Sequence, residues 1–278
     1  MSAFEDQVQV HALHDPPTGT LTYIVWDRGT LDAVIIDPVL DFDPATQLVS
    51  RTSMARLTDF VSSHGLRVHW VLDTHAHADH LSSSRQLVEV GFAPAWGVGE
   101  RMHEVFATFK KIFAWPESTR LEDMGVTRFF KDGERIQAGA LALEVIFTSG
   151  HTPACVTYRV GEFLFTGDAL FMPDSGVGRC DFPGGSAVAL YESVHERLYA
   201  FPDHYQSFTG HDYGPGGRAL KFKSSMGEQK ASNVHLRLAT SAAEFITFRE
   251  SRDKTLPAPR LLNPSLDWNL GAHQLVKR

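Results

Sequence analysis

The chain has 278 residues, and its 26 lysines and arginines stand against 33 aspartates and glutamates, which gives a formal net charge of −7. Because phosphate binding needs a basic face, this balance argues against nucleic acid as the main partner. No apolar run approaches the roughly 20 residues of a membrane-spanning helix, and the first residues lack the apolar stretch of a signal peptide. We therefore predict a globular cytoplasmic protein without membrane contact.

Short runs of β-branched and aromatic residues predict the strands of the fold. They cover residues 21–26, 33–37, 68–73, 126–130, 141–148, 156–160 and 163–167. Apolar residues at helical spacing predict helices at residues 54–64, 81–90, 100–112, 187–200 and 228–249. Strands that alternate with helices, followed by a block of β-hairpins and more helices, predict an α/β (α+β) fold of packed sheets covered by helices.

Neither a repeat nor a flexible linker divides the sequence. We therefore predict one domain over residues 1–278, in which residues 214–278 form a C-terminal elaboration. Residues 255–278 contain three prolines, at positions 257, 259 and 264. Because proline interrupts regular backbone hydrogen bonding, an extended course over the surface is expected for this tail.

The densest group of potential ligands is Asp-Thr-His-Ala-His-Ala-Asp-His at residues 73–80, directly after a predicted strand. In an extended segment His75 and His77 lie on the same face, so both can point into one site. Asp79 and His80 are predicted to begin a helix, which would turn their side chains back toward the same point. Imidazole and carboxylate groups suit zinc, iron or manganese. This spacing therefore predicts a metal site.

Three later ligands follow the same local pattern, in the dipeptides Gly150-His151, Gly167-Asp168 and Gly210-His211. Each potential ligand comes directly after a glycine at the end of an apolar strand. Glycine there lets backbone segments approach closely, as they must where several strand ends meet at one ion. With the first group, these residues make seven candidate donors.

The segments THAHADH, SGHTP, TGDAL and TGHDY, in this order, resemble the metallo-β-lactamase superfamily over about the first 213 residues. The resemblance implies an αββα sandwich of two packed mixed sheets flanked by helices, with metal at one sheet edge. It says less about chemistry, because this fold hosts hydrolases, nucleases and oxidoreductases.

Within the superfamily the chain most resembles persulfide dioxygenases, and their bacterial branch in particular. Their glycine-rich GRxDF stretch matches GVGRCDFPGG at residues 176–185, and their C-terminal pattern matches residues 227–230 and 256–264. The resemblance implies one iron(II) per chain, held by His75, His151 and Asp168. Such a two-histidine, one-carboxylate triad leaves coordination positions open for substrate and O2. The remaining four donors are then expected to lie around the ligands and orient them, namely His77, Asp79, His80 and His211.

The implied reaction is the oxidation of glutathione persulfide by O2 and water to sulfite and glutathione. Hydroxyacylglutathione hydrolases of the glyoxalase II type are the alternative, since they resemble the chain through the same seven donors. There the donors hold two metals, two zinc ions or a mixed pair. The sequence alone does not distinguish one metal from two, because every donor of the second site is present.

Glutathione carries two carboxylates, so an acidic chain that binds it needs a local basic patch. Residues 218–230 carry four basic residues against one acid. The resemblance places glutathione contacts at Tyr213 and Lys230, and Arg179 is a further candidate. It also implies a homodimer. Cys180 lies within the glycine-rich stretch, but a free cysteine is more often a packing residue, so no catalytic role is expected.

Overall fold

The computed structural model of the chain describes residues 3–271. The strands of this range are, in chain order, β1 Val8–Asp15, β2 Thr20–Asp27, β3 Asp32–Ile36, β4 Val39–Asp43, β5 Leu48–Ser50, β6 Arg67–Leu72, β7 Leu81–Ser82, β8 Trp96–Gly99, β9 Arg128–Phe130, β10 Arg135–Ala138, β11 Leu141–Phe147, β12 Val156–Val160, β13 Phe163–Gly167, β14 Gln206–Thr209 and β15 Lys223–Ser225. The α-helices are α1 Ala3–Gln7, α2 Thr52–Ser63, α3 Ser84–Glu89, α4 Met102–Ile112, α5 Ala187–Glu192, α6 Met226–Ser232, α7 Ala242–Asp253 and α8 Leu262–Leu270. A π-helical segment, Ser193–Leu198, continues α5, and short 3-10 turns lie at Leu121–Met124 and Pro215–Gly217.

Two mixed six-stranded sheets form the body of the protein. The first has the order β1-β2-β3-β6-β8-β9, and the second has the order β10-β11-β12-β13-β14-β15. In the first sheet β3, β6, β8 and β9 run parallel, whereas in the second sheet only β13 and β14 do. The residues of β3, Asp-Ala-Val-Ile-Ile, are buried throughout, as expected for a central strand covered on both faces.

The main apolar core lies between the two sheets. Tyr23 of the first sheet packs edge-on against Phe165 of the second, with ring centroids 5.3 Å apart. Helices α2 and α3 cover the outer face of the first sheet, where Leu57 and Leu87 pack in one cluster with residues of β3. Helices α5 and α7 cover the second sheet in the same way. The predicted αββα sandwich is therefore confirmed.

Most of the predicted elements are found. The predicted strands correspond to β2, β3, β6, β9, β11, β12 and β13, and the helices predicted at residues 54–64, 100–112 and 187–200 correspond to α2, α4 and α5 with its π-helical extension. None of the helices within residues 3–271 combines the length and the apolar character needed to cross a membrane.

The single helix predicted at residues 228–249 is wrong, because the segment is divided into α6 and α7. Asn233 ends α6, and its side-chain oxygen accepts hydrogen bonds from the backbone N–H groups of His235 and Leu236. Helix α7 begins after Ser241, whose hydroxyl accepts a hydrogen bond from the N–H of Glu244. Such side-chain partners satisfy backbone groups that a continuous helix would otherwise satisfy, which allows the break.

The extended tail predicted for residues 255–278 is also wrong within the described residues, because Leu262–Leu270 forms α8. Pro264 lies in the first turn of this helix, where its missing N–H would have no partner in any case. Leu266 and Leu270 of α8 are buried in an apolar cluster with Phe106 of α4. Residues 272–278 lie outside the described residues.

Replacing Leu266 by alanine is expected to lower the free energy of unfolding by about 2–5 kcal/mol, because its side chain is fully buried and leaves a cavity. Urea unfolding followed by circular dichroism measures this change. Leu48→Ala is the matched control, since Leu48 is 66% exposed and its loss should cost less than about 0.5 kcal/mol. Equal stabilities of the two variants would contradict the packing of α8.

Candidate metal centre

The candidate donors lie beyond the ends of four strands at one edge of the sandwich. His75 follows β6, His151 follows β11, Asp168 follows β13 and His211 follows β14. Because β13 and β14 are parallel, the residues after their last positions lie side by side. Tyr158 of the second sheet donates a hydrogen bond to the carbonyl oxygen of Asp73 at 3.0 Å and so joins the two sheets at this edge.

Three buried side chains form the first group of donors. His75, His151 and Asp168 each offer a ligand atom, and these three atoms lie within 4.8 Å of one another. Oδ2 of Asp168 is 3.9 Å from Nε2 of His75 and 3.6 Å from Nε2 of His151. The structure thus brings together the three residues that the sequence analysis selects as iron ligands.

The other ring nitrogen of each imidazole in this group is held by the protein. Nδ1 of His151 is 2.7 Å from the carbonyl oxygen of Arg179, which can only accept, so Nδ1 carries the proton. Nδ1 of His75 lies 2.9 Å from the hydroxyl oxygen of Thr74. That hydroxyl donates to Oδ2 of Asp37 at 2.8 Å, so it accepts from His75. Both histidines therefore present the lone pair of Nε2 toward Asp168.

The remaining four predicted donors adjoin this group. Oδ2 of Asp79 is 3.0 Å from Nε2 of His211, without the alignment of a hydrogen bond, and Oδ1 of Asp168 is 3.4 Å from the same nitrogen. His77 donates from Nε2 to Oδ1 of Asp37 at 3.0 Å. The ligand atoms of His77, Asp79 and His80 lie within 4.8 Å of one another. All seven donors are therefore neighbours in one site.

The donor atoms meet the requirements of a metal site. Among residues 3–271, ten buried side-chain nitrogen and oxygen atoms make no hydrogen bond, and half of them lie in this site. These are Nε2 of His75, Nδ1 of His77, Oδ2 of Asp79, Nε2 of His80 and Oδ1 of Asp168. Leaving buried polar atoms without partners is costly, and a bound cation would satisfy them. The donor set therefore fits one metal ion or two.

Burial also sets the protonation states that metal binding needs. Burial, together with the neighbouring His77, holds the pKa of His75 well below the usual value, and burial with His80 does the same to the pKa of His77. Burial alone would lower the pKa of His211 too, but the carboxylates of Asp168 and Asp79 raise it. His75 and His77 are therefore neutral at pH 7, as ligands must be.

The prediction that Asp79 and His80 begin a helix is wrong. A short strand, β7, follows them, and α3 begins only at Ser84. The backbone of this loop is held by Asn269 of α8 instead. Its side-chain nitrogen donates to the carbonyl oxygens of His77 at 2.9 Å and His80 at 3.0 Å, and its oxygen accepts from the N–H of Ser82 at 2.8 Å.

Two residues that support the site are absent from the sequence-based set. Asn269 is one, and nothing local in the sequence distinguishes it. Asp37 is the other, and its carboxylate accepts from both the N–H and the hydroxyl of Thr74 as well as from His77. Asp37 directly follows β3, which pairs in parallel with the strand before the histidines. Its position at the end of a predicted strand is a signal that could have found it.

A cavity of about 470 Å³ opens beside the donors and is lined by Asp79, His151 and Asp168. Tyr213 and Arg179, two of the predicted substrate contacts, also line it. The Tyr213 ring stacks on the His211 ring, with centroids 5.5 Å apart. The guanidinium of Arg179 pairs with both carboxylate oxygens of Asp181 and donates to the carbonyl oxygen of Pro257.

The third predicted substrate contact, Lys230, is not brought to this cavity. Its ammonium donates to the carbonyl oxygen of Phe201 and to Oδ1 of Asp203, each at 2.7 Å. Two arginines that the sequence analysis does not select, Arg252 and Arg260, line the cavity instead. Both are exposed, and their guanidinium groups make no hydrogen bond or ion pair with residues 3–271.

Both cysteines are buried and make no disulfide. Burial raises the pKa of Cys155 to about 12, and burial next to Asp253 raises the pKa of Cys180 as well. A thiol with a raised pKa is a poor nucleophile at pH 7. This agrees with the expectation that Cys180 has no catalytic role.

A sequence profile described as the metallo-beta-lactamase superfamily matches residues 15–211, which include all seven donors. The chain belongs to the metallo-β-lactamase superfamily. The resemblance stated from the four short motifs is thereby confirmed, and the seven donors lie at one sheet edge, as that resemblance implies.

Similar members of the superfamily carry different names. The beta-lactamase hydrolase-like protein of Xylella fastidiosa (strain 9a5c) is 40% identical over 94% of this chain, which spans only 60% of that protein. Glyoxylase B2 of Dictyostelium discoideum is 34% identical over 97% of this chain and 92% of its own length. The mitochondrial persulfide dioxygenase ETHE1 of Bos taurus is 30% identical over 95% of this chain and 88% of its own length.

Among solved structures, ETHE1 from Myxococcus xanthus matches with a TM-score of 0.74 at 30% identity, covering 94% of this chain and 97% of that one. Together with the bovine protein, it confirms the resemblance to persulfide dioxygenases. The fold and the metal-binding character of this superfamily member are thus established, and its reaction is a matter for proposal.

Proposed function

We propose that this superfamily member is a persulfide dioxygenase that works with one iron(II) held by His75, His151 and Asp168. The observation that carries the proposal is the arrangement of these three side chains, in which two tautomer-fixed imidazoles face one carboxylate beside an open cavity. The likeness to two proteins named as ETHE1, over more than nine tenths of the chain, supports the same reaction.

The balanced reaction is glutathione persulfide plus O2 plus water, giving glutathione, sulfite and two protons. Iron(II), when bound, supplies the electrons that activate O2 for oxidation of the terminal sulfur. The chain's own residues set the charge and the protonation state of the site. Asp168 offsets the charge of the cation, while His75 stays neutral through burial. The side chains of Phe42, Phe171 and Leu261 line the cavity and limit the access of water.

The cavity also offers groups that suit the glutathione part of the substrate. Within residues 3–271 the guanidinium groups of Arg252 and Arg260 make no hydrogen bond or ion pair, and a carboxylate is their preferred ligand. We propose that they bind the two glutathione carboxylates, with Tyr213 and Arg179 nearby on the cavity wall. Lys230 is left out of the proposed site, since its ammonium is already paired with Asp203.

Replacing Arg252 or Arg260 by glutamine is therefore expected to raise the KM for glutathione persulfide on the order of tenfold, while kcat changes little. The reason is that each variant loses a charged contact to a part of the substrate that does not react. Steady-state oxygen consumption measures both constants. Lys254→Gln, which removes an exposed charge next to α7, and Lys230→Ala are controls that should leave KM unchanged. A normal KM in both arginine variants would remove these residues from the substrate site.

A dinuclear hydrolase of the glyoxalase II type is the second candidate. It is favoured by the second group of donors, in which Asp79 and His80 each keep a buried donor atom without a hydrogen bond beside His211. Those atoms could hold a second metal ion, and two metals can activate a water for thioester cleavage. The relative named glyoxylase B2 agrees with this alternative.

One comparison decides between the two candidates. The metal-free protein is loaded with Fe2+ without oxygen, and oxygen uptake and sulfite are then measured with glutathione persulfide. A parallel sample loaded with Zn2+ is assayed for cleavage of S-lactoylglutathione. We expect one sulfite for each O2 consumed and little thioester cleavage. Absence of oxygen uptake beside rapid thioester cleavage would overturn the proposal in favour of the hydrolase.

Three further features stay predictions of the sequence: a single domain over residues 1–278 with residues 214–278 as its elaboration, a homodimer, and a cytoplasmic location. Light scattering of the purified chain tests the second of these. A mass of two chains is expected, and a monomer would contradict it.

A further inference from the structure

A hydrogen-bonded path leads from the imidazole of His151 to helix α7. Nδ1–H of His151 donates to the carbonyl oxygen of Arg179 at 2.7 Å. The N–H of the same peptide group belongs to Cys180, and it donates to Oδ2 of Asp253 at 2.8 Å. Because the C=O and N–H of a trans peptide point in opposite directions, this peptide group lies between the imidazole and the carboxylate.

Arg249 holds the carboxylate at the end of this path. Asp253 is buried, and its other oxygen accepts a hydrogen bond from Arg249, one turn earlier on α7, at 2.5 Å. The side chain of Arg249 is only 2% exposed, and it also points a donor at the carbonyl oxygen of Val177, 3.4 Å away. The Asp253–Arg249 pair is thus held by hydrogen bonds to the backbone at Cys180 and at Val177. Because a buried carboxylate without its cation would be strongly unfavourable, the two side chains are expected to stay paired.

Two further hydrogen bonds also hold the loop of residues 176–185, which contains Arg179 and Cys180. Gly178 N–H donates to the carbonyl oxygen of Asp168 at 3.2 Å, and Asn233 donates to the carbonyl oxygen of Gly176 at 3.1 Å. The segment before Arg179 therefore has anchors other than Asp253. Asp253 adds a hydrogen bond to the one peptide group whose carbonyl oxygen accepts from Nδ1–H of His151.

We propose that Asp253, held by Arg249, is a positioning residue that orients His151 and strengthens it as a metal ligand through the Arg179–Cys180 peptide group. A carboxylate at the N–H polarises the peptide and makes its carbonyl oxygen a stronger acceptor. A stronger acceptor at Nδ1–H raises the electron density at Nε2, which faces Asp168. Metal-binding histidines donate a hydrogen bond from their second ring N–H to a carboxylate or to a backbone carbonyl. Here His151 donates to a backbone carbonyl, and the N–H of that same peptide group donates to a carboxylate.

This inference rests on His151 as a metal ligand, which belongs to the proposed function, but not on the reaction catalysed. Its test uses Asp253→Asn, a variant of the same shape that keeps an acceptor for Cys180 and loses the charge. The affinity of the metal-free protein for the first equivalent of Co2+ is expected to fall about tenfold. The proton resonance of His151 Nδ1–H in the metal-free protein is expected to move upfield, because its hydrogen bond weakens.

Glu250→Gln is the matched control. Glu250 lies on the same helix, is exposed, and loses the same charge on substitution. It should leave both the Co2+ affinity and the His151 resonance unchanged. If Asp253→Asn lowered only the melting temperature and left affinity and resonance as in the wild type, the role of Asp253 would be structural and the proposal would be overturned.

The tautomer of His151 in the metal-free wild type gives a second test that needs no variant. Nitrogen chemical shifts should show the proton on Nδ1, and a proton on Nε2 would overturn the path.

The variant His151→Ala distinguishes the ligand role of His151 from the positioning role of Asp253. If it binds Co2+ as the wild type does, the ligand assignment fails and this inference with it. If it loses Co2+ while Asp253→Asn does not, only the role of Asp253 fails.

Discussion

Replacing Asp168 by alanine is expected to lower turnover by on the order of 10³-fold or more while the protein stays folded. Asp168 lies between the first group of donors and His211, since its Oδ2 is 3.6 Å from Nε2 of His151 and its Oδ1 is 3.4 Å from Nε2 of His211. Its loss removes a proposed ligand and the negative charge that would hold a cation. Oxygen uptake, bound metal per chain and the melting temperature measure the three consequences.

The same variant separates an enzyme from a protein that keeps a metal only for stability. In the second case Asp168→Ala should chiefly destabilise the fold, with a large fall in melting temperature. Asp59→Ala is the control, because Asp59 is an exposed carboxylate on α2 and should change none of the three quantities. A folded Asp168→Ala variant with wild-type turnover would contradict the assignment of the site.

Replacing Gly178 by alanine is expected to have the second-largest effect, a fall in metal affinity of about 10- to 100-fold. A Cβ at this position would lie 2.2 Å from the carbonyl oxygen of Asp168 and 3.3 Å from Nδ1 of His151. The first distance is far below any real contact, and its partner is backbone that cannot simply rotate away. The backbone beside two proposed ligands must therefore shift. Titration of the metal-free protein with Co2+ measures the result.

A second glycine provides the control for this prediction. Gly29 is exposed, and a Cβ there would meet only the carboxylate of Asp27 at an ordinary distance of 3.4 Å. Gly29→Ala should therefore keep the wild-type Co2+ affinity and stability. If Gly178→Ala bound Co2+ as tightly as Gly29→Ala, the close packing of the loop against the donors would be wrong.

The sequence was sufficient to predict that the seven candidate donors lie together, because their signals are local. His75 and His77 follow a short apolar strand, and His151, Asp168 and His211 each follow a glycine at the end of a strand or within three residues of it. The strands themselves were predictable where they are buried on both faces, as β3 is. Strand β1 was missed because glutamine and histidines interrupt its apolar residues, and most of its positions are only half-buried.

Residues that act across large separations in the chain could not be predicted in this way. Asn269 donates hydrogen bonds to the carbonyl oxygens of His77 and His80, which lie 192 and 189 residues earlier in the chain. Arg252 and Arg260 reach the cavity from the end of α7 and the segment after it. Nothing in the local pattern of these residues distinguishes them from other polar residues, since their role exists only once the C-terminal helices are packed on the sandwich.

The C-terminal helices are therefore part of the candidate site. Helix α8 holds the histidine loop through Asn269, and α7 reaches the His151 imidazole through Asp253 and supplies Arg252 to the cavity. Residues after position 211, where the family profile ends, therefore lie close enough to influence the proposed metal site. The part of the chain that the profile matches contains the seven candidate donors, and the later helices hold the backbone beside them and line the cavity.

Elemental analysis of the protein purified from its own host tests the central claim most directly, because it identifies the metal and counts it per chain. The account predicts about one iron per chain, with little zinc, and loss of that iron in the Asp168→Ala variant. Two zinc ions per chain and no iron would contradict a mononuclear iron centre and favour the dinuclear hydrolase.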